Sequence, residues 1–139
     1  TLNMWVEEQQ PLARWGDSQL VNGRGGVFTP ESEALKTELP SLAGPADSAT
    51  EIVARYQRMG SRFAALKLDI DRLDMDGRGA WTVGFKQGME LKLGHTDTEA
   101  RVDRFVRLYP MLEQAEKRRV KRVDMRYANG VAVLWGEAS

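Results

Sequence analysis

The chain contains 139 residues, enough for one domain with a hydrophobic core and too few for two domains of ordinary size. Lys and Arg together number 20, as do Asp and Glu, so no net charge steers the chain towards nucleic acid or an anionic membrane. Because cysteine is absent, a disulfide framework, a thiolate metal site and a thiol nucleophile are all excluded.

The sequence also lacks the patterns of a membrane span and of a secretory leader. No apolar run approaches the roughly 20 residues that cross a bilayer. The first residues do not contain a basic stretch followed by an apolar one. We therefore expect the chain as given to be soluble.

The first part of the chain consists of short extended segments. Apolar and polar residues alternate over residues 2–7, which predicts a strand that Pro11 ends. Residues 12–15, 19–22 and 26–28 are further extended segments, separated by the Gly, Asp and Asn residues typical of turns. Together they predict a small meander.

A proline-containing stretch and a helix follow. Residues 29–45 contain three prolines and predict an irregular crossing over the surface. Residues 48–51 read Ser-Ala-Thr-Glu, a capping box that predicts the start of a helix. The apolar residues of this helix recur at spacings of three and four, which predicts one buried face: Ile52, Tyr56, Met59, Phe63 and Leu66.

The middle of the chain predicts three antiparallel strands. Residues 66–75 alternate between apolar and charged side chains, which is typical of a half-buried strand with a charged outer face. Turns containing glycine then lead into residues 81–85 and 89–93.

A second helix is predicted after these strands. Residues 96–99 read Thr-Asp-Thr-Glu, a second capping box. Pro110 lies within the helix and should kink or split it, because proline lacks an amide hydrogen and clashes with the preceding turn. The predicted buried face consists of Val102, Phe105, Val106, Tyr109 and Leu112.

The chain ends in a predicted β-hairpin. Strands over residues 122–127 and 131–135 flank a tight turn at Asn129 and Gly130, because Asn-Gly is a strong short-range hairpin signal. The whole pattern predicts an α+β fold: a mostly antiparallel, curved sheet with two main helices packed on one face. The last strand is expected at the sheet edge, where its backbone can pair with another protein.

Patterns that could carry chemistry are weak. Asp69, Asp71, Asp74 and Asp76 precede a glycine, but aligning that glycine with the obligatory one of a calcium loop leaves the first and twelfth ligand positions without carboxylates. The glycine-rich residues 22–26 lack the lysine of a P-loop. His95 is the only histidine, and no G-x-S-x-G or cysteine supplies a nucleophile for it. Nothing points to an enzyme, a metal or a cofactor.

Four separated segments resemble one protein family. Residues 123–135 follow the pattern V-D-x-R-Y-x-N-G-x-A-V-x-W, and residues 11–15, 20–28 and 104–110 agree with further motifs in the family's order. Over nearly its whole length the chain is similar to the periplasmic part of the FtsQ family of bacterial cell division proteins, called DivIB in Gram-positive bacteria.

The resemblance implies a domain organisation and a location. Residues 1–10 correspond to the last strand of a POTRA domain, and residues 11–139 to the FtsQ-type β-domain. A cytoplasmic tail, one transmembrane helix and most of the POTRA domain would precede this chain. The full-length protein would then be a single-pass protein of the cell inner membrane, with this domain in the periplasm of a Gram-negative bacterium.

The resemblance also implies a function. Family members are non-catalytic scaffolds of the divisome that bind FtsB, together with FtsL, by strand addition at the C-terminal sheet edge. They link early and late division proteins, including FtsI and FtsW, during septum formation.

Partner-binding residues carry over from the family by motif. Tyr127, Gly130 and Trp135 match the partner-binding stretch, whereas Arg126 and Arg78 match basic positions that can pair with acids of the partner. Asn129 occupies the turn position, where the residue type is not fixed in the family, and the same holds for Arg122 at the start of the first hairpin strand.

Two alternative functions are also compatible with the sequence. One is a POTRA-associated module of an outer-membrane assembly or secretion system, which would bind many unrelated strands. The other is a small periplasmic enzyme acting on the cell wall, which would depend on His95 or on the aspartate cluster.

Overall fold

A computed structural model describes residues 11–30, 39–115, 119–127 and 130–136. The strand predicted over residues 2–7, and with it the proposed POTRA remnant 1–10, lies outside the described residues. The described elements are, in chain order, β1 (Pro11–Trp15), β2 (Gln19–Asn22), β3 (Val27–Phe28), β4 (Ser41–Ala43), α1 (Ala49–Ala64), β5 (Ile70–Met75), β6 (Trp81–Phe85), β7 (Glu90–Gly94), α2 (Thr98–Ala115), β8 (Val120–Asp124) and β9 (Ala132–Trp135).

All described strands join one sheet in the order β3-β2-β1-β4-β5-β6-β7-β8-β9. Within it, β1 pairs with β4, β4 with β5, and β7 with β8 in parallel, and the other five pairs are antiparallel. The predicted mostly antiparallel α+β fold is confirmed, as is the position of the last strand at a sheet edge.

The core lies between this sheet and the two helices, which contact each other and pack on the same face. Phe63 of α1 forms edge-to-face contacts with Phe85 of β6 and Phe105 of α2, at ring-centroid distances of 5.1 and 5.7 Å. The predicted buried faces of both helices are confirmed: Ile52, Met59, Phe63, Val102, Phe105 and Tyr109 are buried, and Tyr56, Leu66, Val106 and Leu112 are partly buried against the core.

Strand β4 was not predicted, because the prolines of residues 29–45 favour an irregular crossing. The strand has only three residues, yet it lies inside the sheet and pairs in parallel with β1 and β5. Arg14 and Gly16 donate backbone hydrogen bonds to the carbonyls of Pro40 and Leu42. Such non-local pairing has no local sequence pattern.

Both predicted capping boxes are wrong in detail. Ser48 precedes α1, but its side chain makes no cap hydrogen bond; its hydroxyl donates instead to the carbonyl of Pro45 at 2.5 Å. Helix α2 begins at Thr98, two residues after the predicted cap residue Thr96, because Asp97 between them has a left-handed conformation with φ 50°. Of the predicted kink or split at Pro110, the split is wrong, since α2 continues through this residue, with the proline on the exposed side.

The strand predicted over residues 66–75 begins later, at Ile70. Lys67, with φ 62°, makes the turn between α1 and β5. A register shift between Ile70 and Arg72 explains why Ile70 and Leu73 are both buried although they lie three residues apart, since a bulge changes the phase of the alternation.

The terminal hairpin exists, but its tight turn is wrong. A two-residue turn at Asn129 and Gly130 would place Asp124 opposite Trp135, whereas Asp124 pairs with Ala132. The first strand therefore ends earlier than predicted, at Asp124, and the second begins one residue later than predicted, at Ala132. Asn129 itself lies outside the described residues.

Candidate protein-binding edge

Strand β9 forms one edge of the sheet, and its described pairing is with β8 alone. Its sequence Ala-Val-Leu-Trp carries no charge. Ala132 and Leu134 are exposed, Leu134 to 46%, while Val133 and Trp135 are half-buried. Natural edge strands are commonly protected by charges or proline, and the residues of β9 include neither; the pairing of β9 with β8 does contain one register shift, between Val120 and Arg122.

One hydrogen bond shows which residues of β9 direct their backbone N–H and C=O groups towards β8. The amide of Gly136 donates inward to the carbonyl of Arg119 at 2.7 Å. Because successive residues of a strand direct their amide and carbonyl groups to opposite sides, Leu134 also faces β8. Val133 therefore directs its N–H and C=O to the outer side of the sheet.

The sheet topology brings several predicted binding residues to one end. The turn that carries Arg78 joins β5 to β6, and Trp81 at the start of β6 pairs with Gly94 at the end of β7. The end of β7 in turn adjoins the end of β8, where the amide of Met125 donates to the carbonyl of Lys92 at 2.8 Å. Arg78, Arg126 and Tyr127 therefore lie at the same end of the sheet.

Trp135 is separated from this group. It is the last residue of β9 and pairs with Val120 at the start of β8, so it lies at the opposite end of the edge strand. With a rise of about 3.4 Å per residue, the two ends of β9 are roughly 10 Å apart. A strand added along β9 would span from the Arg126 end to Trp135.

Arg126 has an internal partner that sequence reasoning did not identify. Its Nε and Nη2 donate to the two carboxylate oxygens of Asp124 at 2.8 and 2.5 Å, and its backbone amide donates to the same carboxylate at 3.1 Å. Asp124 is only 7% exposed. The Arg126 guanidinium lowers the pKa of this carboxyl, against the opposing effect of burial.

The guanidinium of Arg126 nevertheless has further N–H donors that could bind a partner. Of the five N–H donors of a guanidinium, one on Nε and one on Nη2 serve Asp124, and the side chain is 53% exposed. Tyr127, the next residue, is 54% exposed. A cation and an aromatic ring are thus presented together, and both residue types contribute strongly to protein interfaces.

Two arginines of α2 hold the chain between β8 and β9. Arg104 donates from Nη2 to the carbonyl of Gly130 at 2.7 Å. Arg101 donates to the carbonyl of Leu93 at 2.5 Å and to that of Arg126 at 3.3 Å. Sequence reasoning missed both roles, because the partners are 25 and 26 residues away along the chain and no local pattern indicates such contacts.

The turn that carries Arg78 is shaped by one member of the acidic cluster. Asp76 Oδ1 accepts hydrogen bonds from the amides of Arg78 and Ala80, both at 2.9 Å, and these bonds lower the pKa of its carboxyl. Gly79 adopts φ +82° to close the turn. The exposed Arg78 side chain is therefore displayed on a tight, well-defined turn.

Within the described residues, the acidic cluster and His95 do not form a metal or catalytic site. No group of three or more His, Asp or Glu side chains that could hold a metal occurs within the described ranges. His95 is exposed after the end of β7, and its charge acts on Asp76. As for membrane insertion, neither described helix has the length and apolar character needed to cross a bilayer.

Comparison with known proteins identifies the family. Residues 13–126 match the family model described as cell division protein FtsQ/DivIB, C-terminal. The chain is 34% identical to the cell division protein FtsQ of Coxiella burnetii over 134 residues, covering 96% of this chain and 55% of that protein. It is 37% identical to FtsQ of Xanthomonas campestris (95% of this chain, 47% of that protein) and 36% identical to FtsQ of Escherichia coli K12 (96% and 50%).

The chain thus spans about half the length of these relatives. The family model covers the sheet from β1 through β8 and reaches Arg126. With this match and with relatives above 30% identity over nearly the whole chain, the protein belongs to the FtsQ/DivIB family of bacterial cell division proteins.

Proposed function

We propose that this domain is a non-catalytic divisome scaffold that binds FtsB, together with FtsL, by accepting a strand of FtsB along the outer side of β9. The observation that carries the proposal is the uncharged, proline-free edge strand itself. Strand β9 is uncharged, its residues are exposed or half-buried, and Val133 directs backbone groups outward. Strand addition needs such an edge, because main-chain hydrogen bonds supply much of its affinity.

Selectivity in this proposal comes from the Arg126 end of the sheet. Arg78 and the remaining donors of Arg126 would pair with acidic residues of FtsB, since guanidinium and carboxylate form strong charge-assisted hydrogen bonds. Tyr127 and the exposed Leu134 offer apolar contact beside the added strand. Trp135 would contact the other end of that strand, and Gly130 with Asn129 would lie where the partner passes the connection between β8 and β9.

The wider cellular role is proposed from the family. Through FtsB and FtsL, the domain would connect early and late division proteins, including FtsI and FtsW, during septum formation. It would act in the periplasm as residues 11–139 of this chain, behind a POTRA domain that ends at about residue 10 and a helix anchored in the inner membrane.

The first experiment tests the side chains. Calorimetric titration of the 139-residue chain with a peptide from the periplasmic part of the same organism's FtsB should give saturable binding. Tyr127→Ala and Arg78→Glu should each weaken binding by tenfold or more, a change of about 1.4 kcal/mol, while the circular dichroism spectrum stays unchanged. Binding that neither change affects would move the site away from this end of the sheet.

The second experiment tests the backbone. Val133→Pro removes an outward amide, a position where an edge strand tolerates proline, and should abolish binding of the FtsB peptide in a folded protein. Val27→Pro is the matched control, because it introduces the same change into β3 at the opposite edge and should leave binding intact. Full binding by the Val133→Pro variant would exclude strand addition along β9.

The alternative functions give different results in the same assays. Comparable binding of many unrelated extended peptides would favour a module of an outer-membrane assembly system. Absence of FtsB binding at high concentration, combined with turnover of peptidoglycan fragments that His95→Ala abolishes, would favour a cell-wall enzyme.

A further inference from the structure

We infer that Asp124, Arg101 and Arg104 are positioning residues that preset the chain between β8 and β9 for an acidic, extended partner, although the partner need not touch them. This inference rests on the proposed function of the β9 edge. We call the three side chains the brace. Each of them contacts the described part of the connection, residues 125–127 and 130–131, or its neighbours.

The brace fixes both sides of the connection. On the β8 side, Asp124 binds the Arg126 guanidinium through both carboxylate oxygens and also accepts the Arg126 amide. On the same side, Arg101 reaches the carbonyl of Arg126 at 3.3 Å. On the β9 side, Arg104 donates to the carbonyl of Gly130 at 2.7 Å. The binding cation and the start of the edge strand are thus tied to α2 and β8.

The positions of these groups are themselves constrained by the fold. Gly94 has φ +74°, and a Cβ at this position would come within 2.7 Å of Nη1 of Arg101 and 3.2 Å of Cγ of Arg126. A side chain at residue 94 would therefore displace the brace. The close approach of β7 to Arg101 is possible because this residue is glycine.

The physical advantage of the brace is preorganisation. Fixing backbone dihedrals costs conformational entropy, and a partner that had to order the connection itself would lose that free energy from binding. The brace already ties Arg126 and Gly130 in the free protein. Asp124 also neutralises part of the charge of Arg126. The N–H donors of Arg126 that do not bind Asp124 therefore favour a carboxylate in line with them over a diffuse anionic surface.

The test compares two arginines of the same helix. Arg104→Ala removes a contact to the connection, whereas Arg107→Ala removes an exposed arginine one turn later and serves as the matched control. Hydrogen exchange of the amides at residues 125–127 and 130–135 is measured in the free chain, and affinity for the FtsB peptide is measured by calorimetry. Asp124→Asn is a second variant, which breaks the other side of the brace.

We expect Arg104→Ala and Asp124→Asn to accelerate exchange at these amides and to raise the Kd about tenfold, while Arg107→Ala changes neither. The affinity loss of Arg104→Ala should persist at temperatures and denaturant concentrations where this variant is fully folded, which a purely structural role would not predict. Unchanged exchange would overturn the brace. Faster exchange with unchanged affinity would overturn its role in binding.

The titration of the unaltered chain separates this inference from the proposed function. If the unaltered chain does not bind the FtsB peptide, the proposed function fails and the binding role of the brace fails with it. If the unaltered chain binds but neither brace variant loses affinity, the proposed function stands and the brace alone is wrong.

Discussion

At the residue scale, the carboxylate of Asp124 combines burial with a charged partner. Burial alone disfavours the ionised form, but the hydrogen bonds and charge of Arg126 outweigh it and lower the pKa of Asp124 from its ordinary value of 3.8. Asp74 on β5 is the opposite case. Burial raises its pKa more than Arg72, at 3.0 Å, lowers it, and Glu90 raises it further.

These opposite shifts predict opposite effects of pH on stability. Because the pKa of Asp124 is lower in the folded chain, its stabilisation is fully present above the unfolded pKa, near 4, and is lost as the pH falls through the folded pKa. Asp124→Asn should therefore lower the free energy of unfolding by about 1–2 kcal/mol at pH 7, a value reduced by the exposure of Arg126. Urea denaturation across this pH range should show the difference from the unaltered chain disappearing in acid.

Asp74→Asn is the control for this prediction. Since the pKa of Asp74 is raised on folding, its ionised form opposes folding at neutral pH, and protonation relieves that cost as the pH falls below the folded pKa. The Asp74→Asn variant should therefore be as stable as the unaltered chain, or more stable, at pH 7. An Asp124→Asn variant that behaves in the same way would contradict the ion pair with Arg126.

At the element scale, helix α1 links the sheet to α2. Its buried side chains pack on the sheet, and two of its arginines pair with acids of α2: Arg55 with Glu99 at 3.3 Å and Arg62 with Asp103 at 2.5 Å. Arg55 also stacks over the buried ring of Trp81 at 5.2 Å. These side-chain contacts orient the two helices relative to each other. Helix α1 also contains a glycine, Gly60.

Gly60 predicts a stabilising substitution. It lies in the interior of α1, and a Cβ there would meet no atom within 4 Å. Gly60→Ala should raise the free energy of unfolding by about 0.5–1 kcal/mol, because glycine loses more backbone entropy in a helix than alanine. Chemical denaturation measures the change.

Gly94→Ala provides the contrast with Gly60→Ala. Its positive φ and the contact with Arg101 should make the substitution destabilising by about 1–3 kcal/mol. Equal effects of the two substitutions would argue against the conformations described for these residues.

At the scale of the whole molecule, one aromatic cluster joins α1, the sheet and α2. Phe63, Phe85 and Phe105 have ring centroids within 5.1–6.3 Å of one another, and Tyr109 lies 5.5 Å from Phe105. Phe63 and Phe105 are fully buried. Because the cluster connects both layers, we expect the described domain to unfold as one cooperative unit.

Removal of the central ring tests this expectation. Phe63→Ala should lower the free energy of unfolding by about 3–5 kcal/mol through lost burial and the cavity that remains. Tryptophan fluorescence and circular dichroism should give coincident denaturation curves. Met111→Ala, at a site 65% exposed, is the control and should have little effect. Separate transitions for the two probes would indicate that helices and sheet unfold independently.

Much of the fold was predictable because its signals are local. The spacing of three and four residues from Ile52 to Phe63 predicted the buried face of α1. For β6, both predicted end residues, Trp81 and Phe85, are those of the structure. The motif at residues 123–135 indicated the family, which the comparisons confirm. Local periodicity reports which face of an element is apolar, and this property does not depend on distant contacts.

Tertiary structure alone decided the features that depend on distant partners. The parallel insertion of β4 and the contacts of Arg101 and Arg104 each join residues far apart in the sequence. The sequence by itself determined both helices, most of the strands, the buried faces of the helices and the family. The register of the edge and the side chains that hold it followed only from three-dimensional packing, because hydrogen bonds between distant groups leave no periodic trace in the chain.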